Sequence, residues 1–195
     1  MSVIKKEKIS KLKIIIFGAS GTGKTTFGKS LSKRLGWEFL DSDEYYWEKT
    51  IPPFEKKIPL NIRNENLKVD FLKSKEVIVS GSLCTWNKFW DTAFDLGIFL
   101  WLPKEVRMTR LSKREIDRYG MKLNNNAKMK KKSIDFLEWA ETYDDVSNKG
   151  ASITQHLNWI QELSCPTIQL EGDFTNEKRI KITLDKIEDY RQQRV

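Results

Sequence analysis

Residues 18–26 read Gly18-Ala19-Ser20-Gly21-Thr22-Gly23-Lys24-Thr25-Thr26, and this stretch decides the fold. Gly18, Gly23, Lys24 and Thr25 occupy the fixed positions of the phosphate-loop pattern G-x-x-x-x-G-K-[ST]. Before it, Leu12-Lys13-Ile14-Ile15-Ile16-Phe17 is a short apolar, β-branched run that reads as a buried strand. After it, Phe27, Leu31 and Leu35 recur at helical spacing, and Gly36 stands where a helix C-cap belongs. Strand, glycine loop and helix follow in register, which is the context the pattern requires.

The chemistry of a triphosphate explains these residue types. Glycines let the backbone curl so that successive N–H groups point inward at anionic oxygens. A helix starting near Gly23 adds unpaired N–H donors and the positive end of its dipole. Lys24 is expected to reach the β- and γ-phosphates, and the Thr25 hydroxyl to ligate Mg²⁺. The expected nucleotide cradle is therefore Gly18, Ala19, Ser20, Gly21, Thr22, Gly23, Lys24, Thr25 and Thr26.

Working outward, a chain of 195 residues suggests one domain over 1–195, long enough to bury a core. No apolar run approaches membrane-spanning length, and the first residues show no apolar signal segment. Cys84 and Cys165 have neither metal-type nor disulfide-framework spacing, so both read as buried thiols in a reducing cytoplasm. The net charge of +8 fits phosphate steering and solubility. A nucleic-acid partner is the less favoured reading, because the lysines are spread over the N-terminus, residues 128–132 and the C-terminal helix.

Residues 1–10 read as a flexible basic lead-in. Strands are expected at about 12–17, 37–40, 76–80, 96–102 and 166–170, alternating with helices. Residues 44–60, with Pro52-Pro53 and Pro59, read as an irregular excursion. Helical spacing returns from Leu60 to Leu72, so that 44–74 forms the acceptor side. A charged helix spans 104–119, and residues 119–132 read as a polar, mobile lid before a helix starting at Ser133. Alternating strands and helices argue a parallel sheet with helices on both faces. Ligands in such sheets sit at the carboxyl ends of the strands. That edge collects the phosphate loop, Asp41-Ser42-Asp43, Ser80-Gly81-Ser82 and Glu171-Gly172-Asp173.

Asp41 and Asp43 suit two tasks, Mg²⁺ ligation and orientation of an acceptor hydroxyl. The less favoured alternative is a pair of helix-capping aspartates in a turn. No acid ends the third or fourth strand, which moves the metal duty to Asp41. Arg107, Arg110, Arg114 and Arg118 follow one helix at spacings of three and four, and so share a face. That face is either solvated or the arm of a lid that closes on phosphates. Tyr45, Tyr46 and Trp47 are positioned to wall a substrate pocket, whereas Trp86, Phe89, Trp90, Trp101, Trp139 and Trp159 read mostly as packing. The lone His156 reads as a surface or semi-buried residue without a metal role.

With these residues in place, the chain resembles the adenylate kinase and shikimate kinase superfamily of small P-loop kinases over roughly residues 12–190. It is also similar to bacterial adenylate kinase-like proteins of the AAA type. The resemblance implies a three-layer α/β P-loop NTPase fold, with a five-stranded parallel sheet in the order 2-3-1-4-5 and a small lid. It implies Asp41 on Mg²⁺ and Asp43 at the acceptor hydroxyl, as in shikimate and gluconate kinases. It implies Arg110 packed on adenine and Arg114 on phosphate, as in the adenylate kinase lid. The glycine-rich run that follows the third strand of shikimate kinases is replaced here by Ser80-Gly81-Ser82-Leu83. The expectation is an ATP- and Mg²⁺-dependent kinase acting on a small molecule, with Lys24, Asp43 and Arg114 as catalytic residues. The alternative is a nucleotide-binding regulator or a nucleic-acid-associated NTPase.

Overall fold

The structure is a computed structural model that describes residues 11–148 and 151–192. The lead-in expected over 1–10 lies outside the described residues. Five strands, β1 (Lys13–Gly18), β2 (Glu38–Asp41), β3 (Val77–Ser80), β4 (Leu96–Trp101) and β5 (Thr167–Glu171), form one sheet in the order β2-β3-β1-β4-β5. All pairings are parallel, with Ile16 opposite Ser80, Gly18 opposite Leu100, and Asp41 opposite Ser80. This is the expected α/β P-loop architecture and strand order.

Strand periodicity divides the core between the two faces of the sheet. Ile15 and Phe17 of β1 point to one cluster with Phe71, Trp90 and Trp159. Those residues come from α3 (Leu60–Lys73), α4 (Phe89–Thr92) and α8 (Ile153–Glu162). Ile14 and Ile16 point to the other cluster, with Phe27, Leu31 and Ile187 from α1 (Lys24–Leu35) and α9 (Asn176–Gln192). Each face buries several large side chains at roughly 1.5–3 kcal/mol apiece. Burial on both faces explains why β1 reads as a continuous apolar run.

Two local expectations are corrected and one is sharpened. Residues 42–46 do not run straight into an irregular loop but form a short helix, α2 (Ser42–Tyr46), because the Asp41 carboxylate accepts the Asp43 N–H at 3.2 Å. The Pro-rich excursion is pinned as a closed loop: Trp47 bridges Lys57, and the Ile58 N–H donates to the Tyr46 carbonyl at 2.8 Å. Residues 121–132 carry α6 (Lys122–Asn125) and the first turns of α7 (Ala127–Glu141) instead of a structureless stretch. The Asn126 side chain accepts the Met129 N–H and starts α7 six residues before the expected Ser133. Between Pro103 and α6 lies α5 (Lys104–Tyr119), and a 3₁₀ turn over Thr142–Asp144 follows α7.

Candidate active site

The carboxyl ends of the central strands open into a cleft of about 1260 Å³. Its floor is the phosphate loop. The loop can turn there because Gly18, Gly21 and Gly23 take φ of +142°, +84° and +87°, and beside it Gly81 takes +139° just after β3. A Cβ on Gly18 would lie 2.2 Å from the Leu100 carbonyl oxygen, and one on Gly81 would lie 1.7 Å from Ser42 Oγ. Gly81 is therefore required by the packing of α2 against β3.

Gly18, Ala19, Ser20, Gly21, Gly23, Lys24, Thr25 and Thr26 all line the cleft. Thr22 does not: it is fully buried, and its hydroxyl donates to the Ala19 carbonyl at 2.9 Å. Lys24 Nζ donates to the carbonyls of Gly18 and Ala19 at 2.9 and 2.8 Å. Crowding by protein atoms strips water from its ammonium and lowers its pKa to about 8, against the pull of Asp43 and Asp41. Asp43 stands open to the cleft, yet desolvation within it, and then Asp41, raise its carboxyl above the ordinary carboxylate range; Lys24, Arg114 and Arg118 oppose the rise. Thr25 and Asp41 both reach the cleft, and Asp41 at the same time caps α2.

The four arginines of α5 separate. Arg110, Arg114 and Arg118 line the cleft and are exposed. Arg110 pairs with Asp173 after β5, and Arg114 lies over the Phe136 ring at 5.5 Å. Arg118 lies over Phe54 at 4.8 Å and pairs with the buried Glu115 at 3.3 Å. Arg107 belongs to neither expected reading. It is fully buried, pairs with Asp144, and donates to the carbonyls of Leu102 and Ala140, tying α5 to the end of α7.

Several cleft residues carry no sequence signal of their own. Arg63 of α3 stacks on Tyr46 at 3.9 Å and approaches Trp86 at 4.9 Å, and its buried Nε has no hydrogen-bond partner. Lys57 lies over Tyr46 and Trp47 at 5.6 and 5.8 Å. The expected aromatic wall thus holds for Tyr46 and Trp47, while Tyr45 turns away and donates to Asp70 at 2.9 Å. Trp86 joins the wall, and Trp139, expected as packing, is 46% exposed and lines the cleft. Arg179 of α9 is buried behind the loop, where its Nη1 donates to the Thr22 carbonyl at 2.8 Å.

His156 departs furthest from expectation. It is 1% exposed and lines the deep end of the cleft. Its Nε2 lies 2.7 Å from Ser82 Oγ, and its Nδ1 lies 2.7 Å from the Tyr143 hydroxyl. Burial, and then Lys24, push its pKa down to about 3. The thiols of Cys84 and Cys165 are only partly buried, and desolvation raises both, that of Cys165 to about 11.

A phosphate loop at the edge of a 2-3-1-4-5 sheet, facing carboxylates and arginines across one cleft, defines a kinase-like P-loop protein. Residues 14–131 match the AAA domain, and the chain belongs to that family. It is 38% identical over 175 residues to the uncharacterised protein YqaC of Bacillus subtilis (strain 168), a match covering 90% of this chain and 97% of YqaC. It is 34% identical over 107 residues to shikimate kinase of Acinetobacter baylyi, covering 50% of this chain and 59% of that enzyme. The solved structure of shikimate kinase from Acinetobacter baumannii in complex with shikimate shares the fold, with a TM-score of 0.57 at 21% identity over 93% of this chain and 95% of that one. Among the described residues, no helix is long and apolar enough to cross a membrane.

Proposed function

We propose that the chain transfers the γ-phosphoryl group of ATP to a small, anionic acceptor. The observation that carries this reading is one cleft shared by the phosphate loop, Asp43 and the Arg63-centred aromatic wall. The loop backbone cradles the triphosphate. Lys24 exchanges its loop carbonyls for β- and γ-oxygens and stabilises the charge of the loose transition state. Asp43 accepts the proton of an acceptor hydroxyl as the acceptor oxygen bonds to phosphorus and the β–γ bridging oxygen leaves with ADP. Its raised pKa suits a group that must hold that proton. Arg114 meets the phosphates and Arg110 the adenine side, and α5 to α7 act as a lid that excludes water.

Mg²⁺ fits the donor set. Thr25 and Asp41 offer hard oxygens at the loop, and no group of three or more His, Cys, Asp or Glu side chains suited to a metal occurs among the described residues. The two would hold an ion ligated chiefly by phosphate and water, and that ion would screen the phosphate charge. On the acceptor side, a guanidinium with a buried unpartnered Nε and an aromatic stack suits a carboxylate or phosphate. The charge-based alternative, a nucleic-acid partner, draws little from the lid: Lys128 and Lys132 pair with Glu55, and Lys131 with Asp135.

The test is transfer from Mg·ATP to a panel of hydroxy acids, sugars, nucleosides and nucleoside monophosphates, with Lys24→Ala as the blank. One acceptor turned over by the native chain and not by the variant supports the reading. ATP binding with no transfer across the panel, joined to salt-dependent nucleic-acid binding, would replace it.

A further inference from the structure

Tyr143, on the 3₁₀ turn after α7, His156, on α8, and Ser82, after β3, come from three separate parts of the chain. They meet in one line of hydrogen bonds at the deep end of the cleft. The protonation pattern of that line follows from counting donors. Tyr143 is buried, and among the described residues its hydroxyl has one hydrogen-bond partner, Nδ1 of His156. A buried hydroxyl proton must be placed, so Tyr143 donates and Nδ1 accepts. The imidazole is neutral, since burial and the charge of Lys24 both oppose protonation. Its single N–H therefore sits on Nε2 and donates to Ser82 Oγ. With that lone pair filled, the Ser82 proton must point elsewhere. Its near neighbour is Cys84 Sγ at 3.3 Å, and sulfur is a weak acceptor. Ser82 is partly open to the cleft, so an incoming oxygen competes favourably for the proton.

We propose that Tyr143, His156 and Ser82 form a fixed, uncharged hydrogen-bond relay whose terminal Ser82 hydroxyl donates to an oxygen of the phosphoryl acceptor. This inference rests on the kinase reading for the identity of the ligand. No proton is transferred along the relay. Each donor polarises the next, so the last hydroxyl is a stronger donor than an isolated serine. Tyr143 and His156 are positioning residues, and Ser82 is the one that touches the ligand. The groups facing the imidazole are the Tyr143 hydroxyl, the Ser82 hydroxyl, the rings of Phe17 and Phe99, and the charge of Lys24. None of them is a carboxylate that would favour an imidazolium.

His156 is the one histidine of the chain, so nitrogen-15 imidazole spectra report on it alone. The expected spectrum is that of the neutral Nε2–H tautomer, without titration between about pH 5 and pH 8. An Nδ1–H tautomer or an imidazolium in that range overturns the relay. The probes are sodium shikimate, sodium gluconate and AMP, each added with Mg·ADP. At least one is expected to shift the Nε2 resonance in the native chain and to leave it unmoved in Ser82→Ala. Silence from all three overturns the ligand role, as does a probe that is phosphorylated without moving the resonance. For a probe that turns over, Ser82→Ala is expected to raise its KM about tenfold at unchanged KM for ATP. Ser82→Thr, which keeps the hydroxyl, should restore it. Tyr143→Phe added to Ser82→Ala should cost nothing further; independent, multiplying effects would mark three unconnected structural residues. The spectra need no turnover, so a resonance that shifts without any phosphorylation counts against the kinase reading and not against the relay.

Discussion

The two ends of the cleft are built differently. The phosphate loop comes from consecutive residues, 18–26, and its backbone is shaped by glycine conformations, with Asp41, Arg110 and Arg114 joining it from outside. The rest of the lining draws Asp43, Arg63, Ser82, Trp86 and His156 from separate places along the chain, and the aromatic end is built around the Arg63 side chain on Tyr46 and Trp86. A backbone site recognises a charge pattern common to every nucleoside triphosphate and has little freedom to change. A side-chain site can change its ligand by single substitutions while the sheet beneath it stays intact. On the function proposed above, the second kind of construction is where this chain's own specificity would reside.

The largest expected effect is at the phosphate end. Lys24→Ala should lower phosphoryl transfer about a thousandfold, some 4 kcal/mol, while the melting temperature holds. A rate within tenfold of the native chain would break the comparison, because the phosphate end would not be doing the chemistry. At the junction of the two ends, Gly81→Ala places a Cβ 1.7 Å from Ser42 Oγ at a φ of +139°. It should destabilise the fold by about 3 kcal/mol, read as the midpoint of urea denaturation. Both ends should then lose binding together, since Gly81 sets the packing of α2 and with it Asp41 and Asp43.

Arg63→Ala sharpens the contrast. It removes the stack on Tyr46 and Trp86 and should weaken acceptor binding by about 2 kcal/mol, with the KM for ATP unchanged. An equal rise in both KM values would show that the ends are one site energetically. His156 offers a pH test of the same end. Its folded pKa of about 3 lies below its ordinary value of 6.5, so below about pH 6.5 the unfolded chain takes up a proton that the folded chain refuses. Stability should fall as pH drops from about 6.5 toward 3, by up to about 1.4 kcal/mol per unit. Urea midpoints at pH 7, 6 and 5 for the native chain and His156→Gln measure it, and the variant should lack that part of the slope.

The contrast also explains what could be read from the sequence. The phosphate end is contiguous, so its pattern, the preceding strand and the following helix are visible together in residues 12–36. The sheet order followed from that recognition, and the split of Ile14 and Ile16 from Ile15 and Phe17 across the sheet is simple strand periodicity. The aromatic end has no local pattern. Arg63 sits in Asn61-Ile62-Arg63-Asn64, which reads as an ordinary exposed turn of helix until Tyr46 and Trp86 close on it. His156 is uninformative until residues 74 positions earlier and 13 positions earlier supply its two partners. Arg107 shared the spacing of the other α5 arginines, but its partner Asp144 lies 37 positions downstream, so periodicity gave no hint that it is buried. The early start of α7 had a local cause, the Asn126 cap, hidden inside a lysine-rich stretch that reads as polar linker.

The smallest effect concerns how the two ends communicate. Lys132 of α7 donates to the Pro53 carbonyl and to Glu55, both at 2.9 Å, and Lys128 reaches the same carboxylate at 3.4 Å. These contacts clasp α7 to the Pro-rich loop that carries Trp47 and Phe54. The two ion pairs are solvent-accessible, so each is weak and screened by salt. The clasp should therefore add little to the stability of the fold. Lys132→Ala is expected to speed amide exchange at Ile58, whose N–H closes the loop onto Tyr46, by roughly twofold to fivefold at low salt. The difference should vanish in strong salt, and the urea midpoint should stay within error of the native chain. Exchange that is unchanged at low salt would mean that the loop's own closing contacts, the Trp47–Lys57 bridge and the Glu48–Lys56 and Ile58–Tyr46 hydrogen bonds, fix it without the clasp. The aromatic wall would then be as rigid as the phosphate loop opposite it, and the difference between the two ends would be one of chemistry without a difference in mobility.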